Sequence, residues 1–468
     1  MQFALLACSA AAAAAQPEGP TSLNYSLRFV DLSAHPLAVC NDGSPAAYYV
    51  HRRTDEQWVL HQQGGWWCWD DFSCQTRWNH FANHTTELRT LMSTKDLAAI
   101  TAAHDRFNGE INTGILSHNV SNPMAEASKV FVVYCSSDAH AGNRSAGAVP
   151  RAGTSKWHFR GKEIVRAILE ELGASHGLSS ARSVVLTGGS AGGMATVNNA
   201  DWVRSLLGEI APQAEMVAMP DSGYFLDVMP RALCDKPGTY ECLCAAGPTA
   251  PDATLSDDGW NRKDGHAWLG PGQTLAQQMQ AMLVFTQGLV DRSCAEHYGK
   301  YGAWRCYLGQ YAAPFLETRS LFLQSQIDEW QGFWNGFFDY ATDAHGYEYA
   351  GWFRNETRRL LRHSTMARAE GPGPVFGFAP NCYHHGLSYD SRFWEVQAGG
   401  FSSATALSAL LQRARLPALV ADECKGLPCG PQTHGFPECQ PVAPPHPIGI
   451  APSRIRAGRL AGANQDPL

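Results

Sequence analysis

The sequence predicts an α/β fold with a mostly parallel central sheet and helices on both of its faces. Several short apolar runs alternate with helical patterns, which is typical of strands joined by crossover helices. One of these runs leads directly into a glycine-rich turn around a serine. With 468 residues, the chain is long enough for one large α/β domain or two smaller ones.

Composition limits the classes of function. The chain has 36 Lys and Arg against 43 Asp and Glu, a formal net charge of −7, so it lacks the basic excess that binds a phosphate backbone. Nucleic-acid binding is therefore not expected. Charged residues make up 17% and hydrophobic residues 44%, which is typical of a folded chain. The 14 cysteines indicate disulfides and hence an oxidising compartment.

The first 15 residues are similar to a secretory signal peptide. An Ala-rich apolar stretch runs from Met1 to Ala15, too short for a membrane span, and polar sequence follows. It contains no Lys or Arg, so an Ala-rich soluble terminus is the alternative. Five Asn-x-Ser/Thr sequons support export, at Asn24, Asn83, Asn119, Asn143 and Asn355. No later apolar run reaches about 18 residues. We therefore expect a secreted protein, in a cell wall or extracellular matrix, without a transmembrane segment.

The expected strands and helices follow one another along the chain. Residues 47–50 and 58–60 are apolar runs around a polar turn, which predicts a hairpin at the start of the sheet. Apolar residues recur at one-face helical spacing over 164–172, and Gly173 marks the expected end of that helix. The other expected elements are strands at 130–134, 184–187, 216–219 and 321–324 and a helix at 404–411.

Two stretches break this alternation. Residues 234–265 carry three Cys with several Gly and Pro and no clear period, which predicts a disulfide-tied excursion. Pro and Gly dominate near the end, where scattered apolar residues cannot offset the entropy of ordering. The expected organisation is a signal peptide at 1–15, an α/β domain at 26–422 and a Pro-rich tail without fixed structure at 440–468.

The strand at 184–187 runs into a Gly-x-Ser-x-Gly pattern at 188–192, followed by helix-compatible sequence. A nucleophile elbow needs this arrangement, because its turn is too tight for side chains beside the serine. The turn lifts the hydroxyl out of the sheet, and the positive end of the following helix faces developing negative charge. We therefore predict that Ser190 is a catalytic nucleophile. The alternative is a glycine-rich turn without catalysis.

An elbow serine needs a histidine base and an acid that orients it, in the chain order serine, acid, histidine. Asp328 follows the strand at 321–324, where a triad acid would be held, and spacing leaves two rivals, Asp221 and Asp227. For the base, the late loop contains His384 and His385, and spacing does not choose between them.

Five motifs occur in order along the chain. They are Cys-Asn-Asp-Gly-Ser-Pro-Ala at 40–46, Gly-Gly-Trp-Trp-Cys at 64–68, Tyr-Cys-Ser-Ser-Asp at 134–138, Gly-Ser-Ala-Gly-Gly at 189–193 and Asp-Ser-Gly-Tyr-Phe-Leu-Asp at 221–227. Together they resemble the pectin acetylesterase/Notum family of secreted carboxylesterases, from about residue 26 to about residue 416. The stretches 113–117, 134–138 and 221–223 are more similar to the Notum branch than to plant pectin acetylesterases. The resemblance implies a disulfide-rich, α/β-hydrolase-like fold.

The resemblance also implies roles that the residue pattern alone leaves open. It assigns the nucleophile to Ser190, the acid to Asp328 rather than Asp221, and the base to His385, three residues after Cys382. The oxyanion would be stabilised by the backbone N–H groups of Gly65, Trp66 and Ala191. Such a triad needs no cofactor and no metal ion.

Cysteine pairing follows from the same resemblance. It implies the pairs Cys40–Cys135, Cys68–Cys74 and Cys294–Cys306, and a C-terminal partner for Cys382. If Cys8 leaves with the signal peptide, 13 cysteines remain, so one is unpaired. The sequence gives no connectivity among Cys234, Cys242, Cys244, Cys424, Cys429 and Cys439.

Two departures from the family pattern bear on function. Family members usually carry Leu-Glu before the Gly-Gly pair, whereas this chain has His61, Gln62 and Gln63. This leaves the packing beneath the oxyanion loop open. The excursion at 234–265 lies where a lid over the acyl pocket could be built, so substrate preference is open as well.

Two possible zinc patterns have simpler explanations. His80 and His84 are four residues apart, as zinc ligands on a helix are, but no Glu follows His80 to complete the metalloprotease pattern. Cys424, Cys429 and Cys439 are better explained by disulfides in an exported protein.

Two further side-chain patterns could contact a substrate. Four arginines recur on one helical face: Arg354, Arg358, Arg359 and Arg362. They could bind an acidic polysaccharide, although a solvated helix face is the commoner explanation. Trp66, Trp67 and Trp69 could stack on sugars or line an acyl pocket. Most aromatic residues are core, and Trp66 is the expected exception because it follows the oxyanion glycine.

These observations predict a secreted serine carboxylesterase that removes an acyl group, an acetyl group in the first instance, from a glycan or glycoprotein. Its expected partner is thus an acylated polysaccharide, glycoprotein or lipoprotein substrate. The alternative within the class is a Notum-like deacylase that removes a longer acyl chain from a lipidated protein. The competing class is a non-catalytic glycan-binding module on an esterase fold.

Overall fold

A computed structural model describes residues 25–82, 91–98, 111–147, 156–231, 274–337, 340–367, 373–423, 426–428 and 436–440. The expected signal peptide, the excursion at 234–265 and the tail after residue 440 lie outside these ranges. So do the sequons at Asn24 and Asn83, His84 of the first zinc pattern, and Cys424 and Cys429 of the second.

A sheet of nine strands forms the centre of the described chain. The described chain has eleven strands in all: β1 (Ser26–Phe29), β2 (Ala47–His51), β3 (Gln57–Gln62), β4 (Ser128–Val132), β5 (Ser183–Gly189), β6 (Glu215–Asp221), β7 (Ser320–Leu323), β8 (Val375–Ala379), β9 (Gln397–Ala398), β10 (Phe401–Ser402) and β11 (Leu419–Ala421). Their order in the large sheet is β1-β2-β4-β3-β5-β6-β7-β8-β11, and β9 pairs separately with β10. In this order, every neighbouring pair from β4 through to β11 is parallel, whereas the pairs β1–β2 and β2–β4 are antiparallel.

The predicted hairpin between residues 47–50 and 58–60 is wrong. Both runs are strands, but β4 lies between them, antiparallel to β2 and parallel to β3. The reason is that β3 is buried along almost its whole length, and it gains two parallel partners, β4 and β5, in the middle of the sheet. The polar turn after β2 therefore connects two strands that are not neighbours, because β4 occupies the position between them.

Ten α-helices and five short 3₁₀ helices connect the described strands. The α-helices are α1 (Asp71–Ala82), α2 (Gly161–Ser175), α3 (Ala191–Ile210), α4 (Leu275–Thr286), α5 (Arg292–Gly302), α6 (Gly309–Ala312), α7 (Glu329–Trp334), α8 (Ala344–Ala367), α9 (Arg392–Glu395) and α10 (Ser403–Leu411). The 3₁₀ helices are Gly114–Leu116, Leu178–Ser180, Ala303–Tyr307, Ala313–Phe315 and Pro437–Cys439. Gly173 does not end α2 as expected. It lies within that helix, where an added Cβ would be 2.5 Å from Ile210 at the end of α3.

Alternating strand residues pack on opposite faces of the sheet. Trp58 and Leu60 of β3 join a core cluster with side chains of α2, α3 and α8, whereas Val59 joins a second cluster with α10. The central strands are thus covered by helices on both faces, as their continuous apolar runs predicted. The predicted fold class, an α/β-hydrolase-like fold with a mostly parallel sheet, is confirmed.

The disulfides implied by the resemblance are present. Four bridges join the described cysteines, Cys40–Cys135, Cys68–Cys74, Cys294–Cys306 and Cys382–Cys439. The C-terminal partner of Cys382 is thus Cys439, which excludes a zinc site built on Cys439. Among the helices of the described ranges, none combines the length and the apolar character that crossing a lipid bilayer requires.

The arginine row on α8 is engaged in contacts within the protein. Arg358 and Arg362 lie 3.4 and 3.2 Å from Glu423, and Arg359 lies 2.5 Å from Glu356. Because these arginines already form ion pairs within the protein, a solvated helix face explains the row better than a binding surface for an acidic polysaccharide does.

Candidate active site

Ser190 stands at the sharp turn between β5 and α3. Its φ of 58° and ψ of −123° are unusual for a residue with a side chain. Two backbone hydrogen bonds hold this conformation: the Ser190 N–H donates to the Asp221 carbonyl, and the Ser190 carbonyl accepts from the Met194 N–H, each at 2.9 Å. The strand, the strained serine and the helix together form the structural context that a Gly-x-Ser-x-Gly elbow requires.

Glycine is required at the elbow because other groups approach its backbone closely. A Cβ atom on Gly192 would overlap the Gln62 carbonyl oxygen at the end of β3. A Cβ atom on Gly189 would overlap the Tyr389 hydroxyl. A larger residue at either position would therefore displace a neighbour of the serine.

Asp328 lies after β7 and caps the short helix α7. Its carboxylate is fully buried and accepts three hydrogen bonds, from the Gln331 N–H at 2.9 Å, the Gln324 side-chain amide at 3.0 Å and His385 Nδ1 at 2.8 Å. Both carboxylate oxygens are thereby fixed in position. The structure brings Asp328 and His385 together.

His385 lies in the loop after β8. Because Nδ1 donates its hydrogen to Asp328, Nε2 of the neutral imidazole carries the free lone pair. Nε2 is buried and has no hydrogen-bond partner among the described residues. Burial alone would lower the pKa of His385, but nearby carboxylates, led by Asp328, raise this pKa above its ordinary value of 6.5.

The neighbouring His384 makes different contacts. Its Nε2 lies 3.2 Å from the Gly386 carbonyl oxygen, and its Nδ1 lies 3.8 Å from the carboxylate of Glu329. Of the two histidines that spacing left open, it is His385 that contacts Asp328.

No hydrogen bond joins the Ser190 hydroxyl to His385 within the part of the chain that the structure describes. The Tyr389 ring nevertheless links the two segments, because an added Cβ on either Gly189 or Gly386 would overlap it. The residue before the serine and the residue after the histidine thus pack on the same ring. In free hydrolases the bond between nucleophile and base is often long and closes only in the substrate complex.

The two rival acids have other partners. The Asp221 carboxylate, fully buried at the end of β6, accepts from the Leu387 N–H at 3.0 Å and from the N–H and hydroxyl of Ser388, each at 2.7 Å. Asp227 accepts from the Tyr311 hydroxyl at 2.8 Å, and burial raises the pKa of Asp227 to about 6. In the described chain neither carboxylate hydrogen-bonds to the imidazole of His385.

The loop after β3, which carries two of the expected oxyanion donors, lies against the elbow. A Cβ on Gly64 would be 3.1 Å from Ser190 Cβ. Gly65 and Trp66 both have positive φ, 128° and 65°. Glycine adopts such values readily, whereas for Trp66 the conformation is sparsely populated, and such residues cluster at functional sites. The third expected donor, the Ala191 N–H, is in the first turn of α3, where an amide has no acceptor within its own helix. The three expected donors thus belong to two backbone segments that meet beside Ser190.

Buried hydrogen bonds support the oxyanion loop where the sequence departs from the family pattern. The Gln63 side chain accepts from the Tyr134 N–H at 2.9 Å, and the Gln62 side chain accepts from the Asn199 amide at 3.0 Å. The Gln63 carbonyl accepts from Nε2 of His140 at 3.0 Å. Burial lowers the pKa of His140 to about 4, so this histidine stays neutral and keeps a single N–H for that bond. Buried polar contacts therefore support the loop from beneath.

Aromatic rings surround the imidazole of His385. The rings of Phe225 and Trp330 have their centroids 6.1 and 6.4 Å from it, and they lie 5.1 Å from each other. Further ring contacts at 5.0 to 5.8 Å join these two to three tryptophans. We call the five residues the aromatic cluster: Trp66, Trp67, Phe225, Trp330 and Trp334. Within the predicted tryptophan group, Trp67 and Trp69 are buried, whereas Trp66 is partly exposed, as expected.

The sequence predicted Asp221 only as an alternative triad acid and predicted no role for Ser222. The structure uses both residues to hold the loop that follows His385, because the Ser222 hydroxyl accepts from the Gly386 N–H at 2.8 Å. The available signal was the Asp-Ser-Gly motif at the end of a strand beside the elbow. Within the described ranges, no group of three or more His, Cys, Asp or Glu side chains could hold a metal ion.

Comparisons with known proteins identify one matching family model and several similar proteins. The pectinacetylesterase family model matches residues 19–241, a range that contains Ser190 and all five motifs. Palmitoleoyl-protein carboxylesterase NOTUM from Mus musculus is 29% identical over 395 residues, which cover 84% of this chain and 66% of that protein. The Homo sapiens protein of the same name is 28% identical over 395 residues, with coverages of 84% and 67%.

The Drosophila melanogaster protein of that name is 29% identical over 305 residues, 64% of this chain and 37% of the relative. The chain thus spans about two thirds of the length of the mouse and human relatives. Together with the mostly parallel sheet and the disulfides, these matches confirm the resemblance of the chain to the pectin acetylesterase/Notum family.

Proposed function

We propose that the chain is a secreted serine carboxylesterase that removes an acyl group of acetyl size from a glycan or glycoprotein. The observation that carries this proposal is the His385–Asp328 pair, joined at 2.8 Å, with its buried Nε2 unpartnered among the described residues. A carboxylate–imidazole pair near an elbow serine is the arrangement that activates a hydroxyl for attack on an ester carbonyl. The mouse and human relatives are named carboxylesterases, which supports ester hydrolysis.

In the proposed mechanism His385 accepts the proton of Ser190 while the serine oxygen attacks the ester carbonyl. Asp328 holds the imidazole in the required tautomer and stabilises the positive charge that forms on it. The negative oxygen of the tetrahedral intermediate is stabilised by the backbone N–H groups of Gly65, Trp66 and Ala191. Loss of one such donor typically costs about 3 kcal/mol of transition-state stabilisation.

The second half of the reaction uses the same groups. His385 gives its proton to the leaving alcohol, which departs and leaves Ser190 acylated. Water, activated by the same imidazole, then attacks the acyl-serine and releases the acid. No cofactor enters either step.

The aromatic cluster supports a short acyl group. In a bound ester the acyl chain extends from the carbon that Ser190 attacks, next to His385. The rings of Phe225 and Trp330 contact each other and flank that imidazole. Phe225 and the adjoining Trp67 are at most 2% exposed. A methyl group can lie against such rings without moving them, whereas a long chain needs a groove that separates them.

A second candidate is removal of a longer acyl chain from a lipidated protein. The names of the relatives favour it, because the mouse and human proteins are palmitoleoyl-protein carboxylesterases. The two candidates share the mechanism and differ in the length of the acyl chain and in the molecule that carries it.

A series of p-nitrophenyl esters from acetate to octanoate, given to the secreted full-length protein, tests the proposal. We expect the highest kcat/KM for acetate and a loss of at least about 10³-fold in Ser190→Ala, with an unchanged melting temperature. A preference for octanoate would favour the second candidate. Undiminished hydrolysis by the variant would remove Ser190 from the mechanism. A wild-type protein that binds acetylated glycans but hydrolyses no ester would be a binding module instead.

Two variants test the reason given for the short chain. Trp330→Ala and Trp334→Ala should raise octanoate hydrolysis relative to acetate by about tenfold, because each opens space for several methylene groups. Trp352→Ala on α8 is the matched control, since this tryptophan packs on Tyr349 in a different cluster and should leave the ratio unchanged. An unchanged ratio in both cluster variants would contradict the proposed role of the rings.

A further inference from the structure

Three consecutive backbone N–H groups after His385 are bound by two neighbouring side chains. The Gly386 N–H donates to the Ser222 hydroxyl at 2.8 Å, the Leu387 N–H to Asp221 Oδ1 at 3.0 Å and the Ser388 N–H to Asp221 Oδ2 at 2.7 Å. A loop normally leaves such amides to water, whereas here each has a protein acceptor. We call Asp221 and Ser222 the clamp.

The clamp is itself rigid. Asp221 and Ser222 are 0% exposed, and the Ser222 hydroxyl donates to Asp221 Oδ1 at 3.0 Å. Ser222 has a φ of 49°, and its N–H donates to the Leu323 carbonyl at the end of β7 at 2.8 Å. The Ser388 hydroxyl adds a fourth bond to the Asp221 carboxylate at 2.7 Å. A buried carboxylate with this many donors has one orientation.

The same aspartate also holds the nucleophile. Asp221 is paired in register with Gly189 across the parallel strands β5 and β6, and its carbonyl accepts the Ser190 N–H at 2.9 Å. Its backbone therefore fixes the elbow while its side chain fixes the loop of the base.

We propose that Asp221 is a positioning residue that sets the distance between Ser190 and His385, with Ser222 as its auxiliary. This inference rests on the proposed function, since it assumes that the serine and the histidine react together. Positioning matters because a displacement of about 1 Å between reacting groups can cost about 100-fold in rate.

The negative charge of Asp221 has a second effect on the base. The charged and titratable groups that face His385 are Asp328, Asp221, Glu329 and, from its own loop, His384. Burial lowers the pKa of His385, and three carboxylates raise it. Asp328 contributes most of this rise, and Asp221 adds to it. Neutralising Asp221 should therefore move the acid limb of the pH profile to lower pH.

The test is Asp221→Asn, which keeps the size of the side chain but removes its charge and one acceptor oxygen. We measure kcat, KM and the pH dependence of kcat/KM for p-nitrophenyl acetate, together with the melting temperature. The expected result is a fall in kcat of roughly 10- to 100-fold with little change in KM, and an acid limb displaced to lower pH.

Two further variants separate position from charge. Ser222→Ala removes the two hydrogen bonds of the hydroxyl, from the Gly386 N–H and to Asp221, without changing charge. It should lower kcat about fivefold with an unmoved acid limb. Asp227→Asn is the matched control, a buried aspartate six residues away whose partner is the Tyr311 hydroxyl. It should leave both kcat and the acid limb unchanged.

Several outcomes would overturn the inference. A folded Asp221→Asn protein with wild-type kcat and acid limb would do so. A fall in kcat and melting temperature without movement of the acid limb would indicate a purely structural residue. If Asp221→Asn does not fold, an unchanged kcat in Ser222→Ala decides against the clamp. Wild-type protein without esterase activity, or an active Ser190→Ala, would instead refute the proposed function itself.

Discussion

The turn around Ser190 and the loop of His385 are positioned at the proposed site by different means. The elbow is one contiguous segment, residues 183–193, whose shape follows from a strand, a helix and the glycines between them. The histidine loop has no regular structure and is held by Asp221 from β6, by Asp328 after β7 and by the disulfide between Cys382 and Cys439. The conformation around Ser190 therefore depends mainly on its own segment. The position of His385 depends on residues that are far away in sequence.

The greatest loss of activity is expected when the partner of the proposed base, His385, is changed. Asp328→Asn should lower kcat by about 10⁴-fold, because the NH2 group of the amide can donate to Nδ1 and so stabilise the tautomer that carries its hydrogen on Nε2. Steady-state kinetics with p-nitrophenyl acetate measures the loss, and circular dichroism checks the fold.

Glu329→Gln is the control for this variant. Glu329 is the next residue, its side chain is 54% exposed, and its carboxylate lies near His384 rather than on the imidazole of His385. It should retain kcat within about threefold. Equal losses in the two variants would show that Asp328 acts only as a nearby charge.

The two regions should also differ in how far their disulfides stabilise the fold. Cys382–Cys439 closes a separation of 57 residues beside the base, and Cys68–Cys74 closes only 6 residues beside the oxyanion loop. On loop-closure entropy, replacing each pair by serines should cost about 4 and about 2 kcal/mol of unfolding free energy, respectively. Denaturant unfolding of the two double variants checks the order. The reverse order would mean that the longer loop is already constrained in the unfolded chain.

A third expected effect isolates the elbow. Gly192→Ala should destabilise the protein by about 1–3 kcal/mol, because its methyl group overlaps the Gln62 carbonyl. Gly208→Ala on the same helix, α3, is the matched control, since a Cβ there meets nothing within 4 Å. That change should be neutral or stabilise by up to about 1 kcal/mol. Thermal unfolding of both variants measures the difference, and equal values would contradict the close approach of β3 to the elbow.

The smallest expected effect is the pH dependence of the base. Neighbouring carboxylates raise the folded-state pKa of His385 above 6.5, although burial opposes them. The folded state therefore binds this proton more tightly than the unfolded state does. The resulting stabilisation is complete below a pH of about 6.5 and is lost as the pH rises through the folded-state pKa. Activity changes in the opposite direction, because only the neutral imidazole is a base.

Melting temperatures of the wild type and of His385→Gln, compared at about pH 5 to 9, check this sign. The difference in stability in favour of the wild type should shrink as the pH rises, while kcat/KM of the wild type increases. A difference that grows with pH would show that the pKa is lowered instead.

Local patterns predicted the parts of the site that depend on neighbouring residues. The run at 184–187 predicted β5, and the glycines around Ser190 predicted the strained turn, because strand propensity and backbone sterics act within a few residues. The resemblance supplied more than spacing could, including the pairing of Cys382 with a C-terminal cysteine and the choice of His385 over His384.

The amino-acid pattern was enough to predict the class of fold, the turn around Ser190 and a short set of candidate acids and bases. The place of β4 between β2 and β3, and the hydrogen bonds of Asp221 to the loop after His385, follow only from the folded chain. This is because strand order and hydrogen-bond partners depend on groups that are distant along the chain. Asp221 and Asp328 both follow strands, and they differ only in which loop amide or imidazole the folded chain brings to each carboxylate.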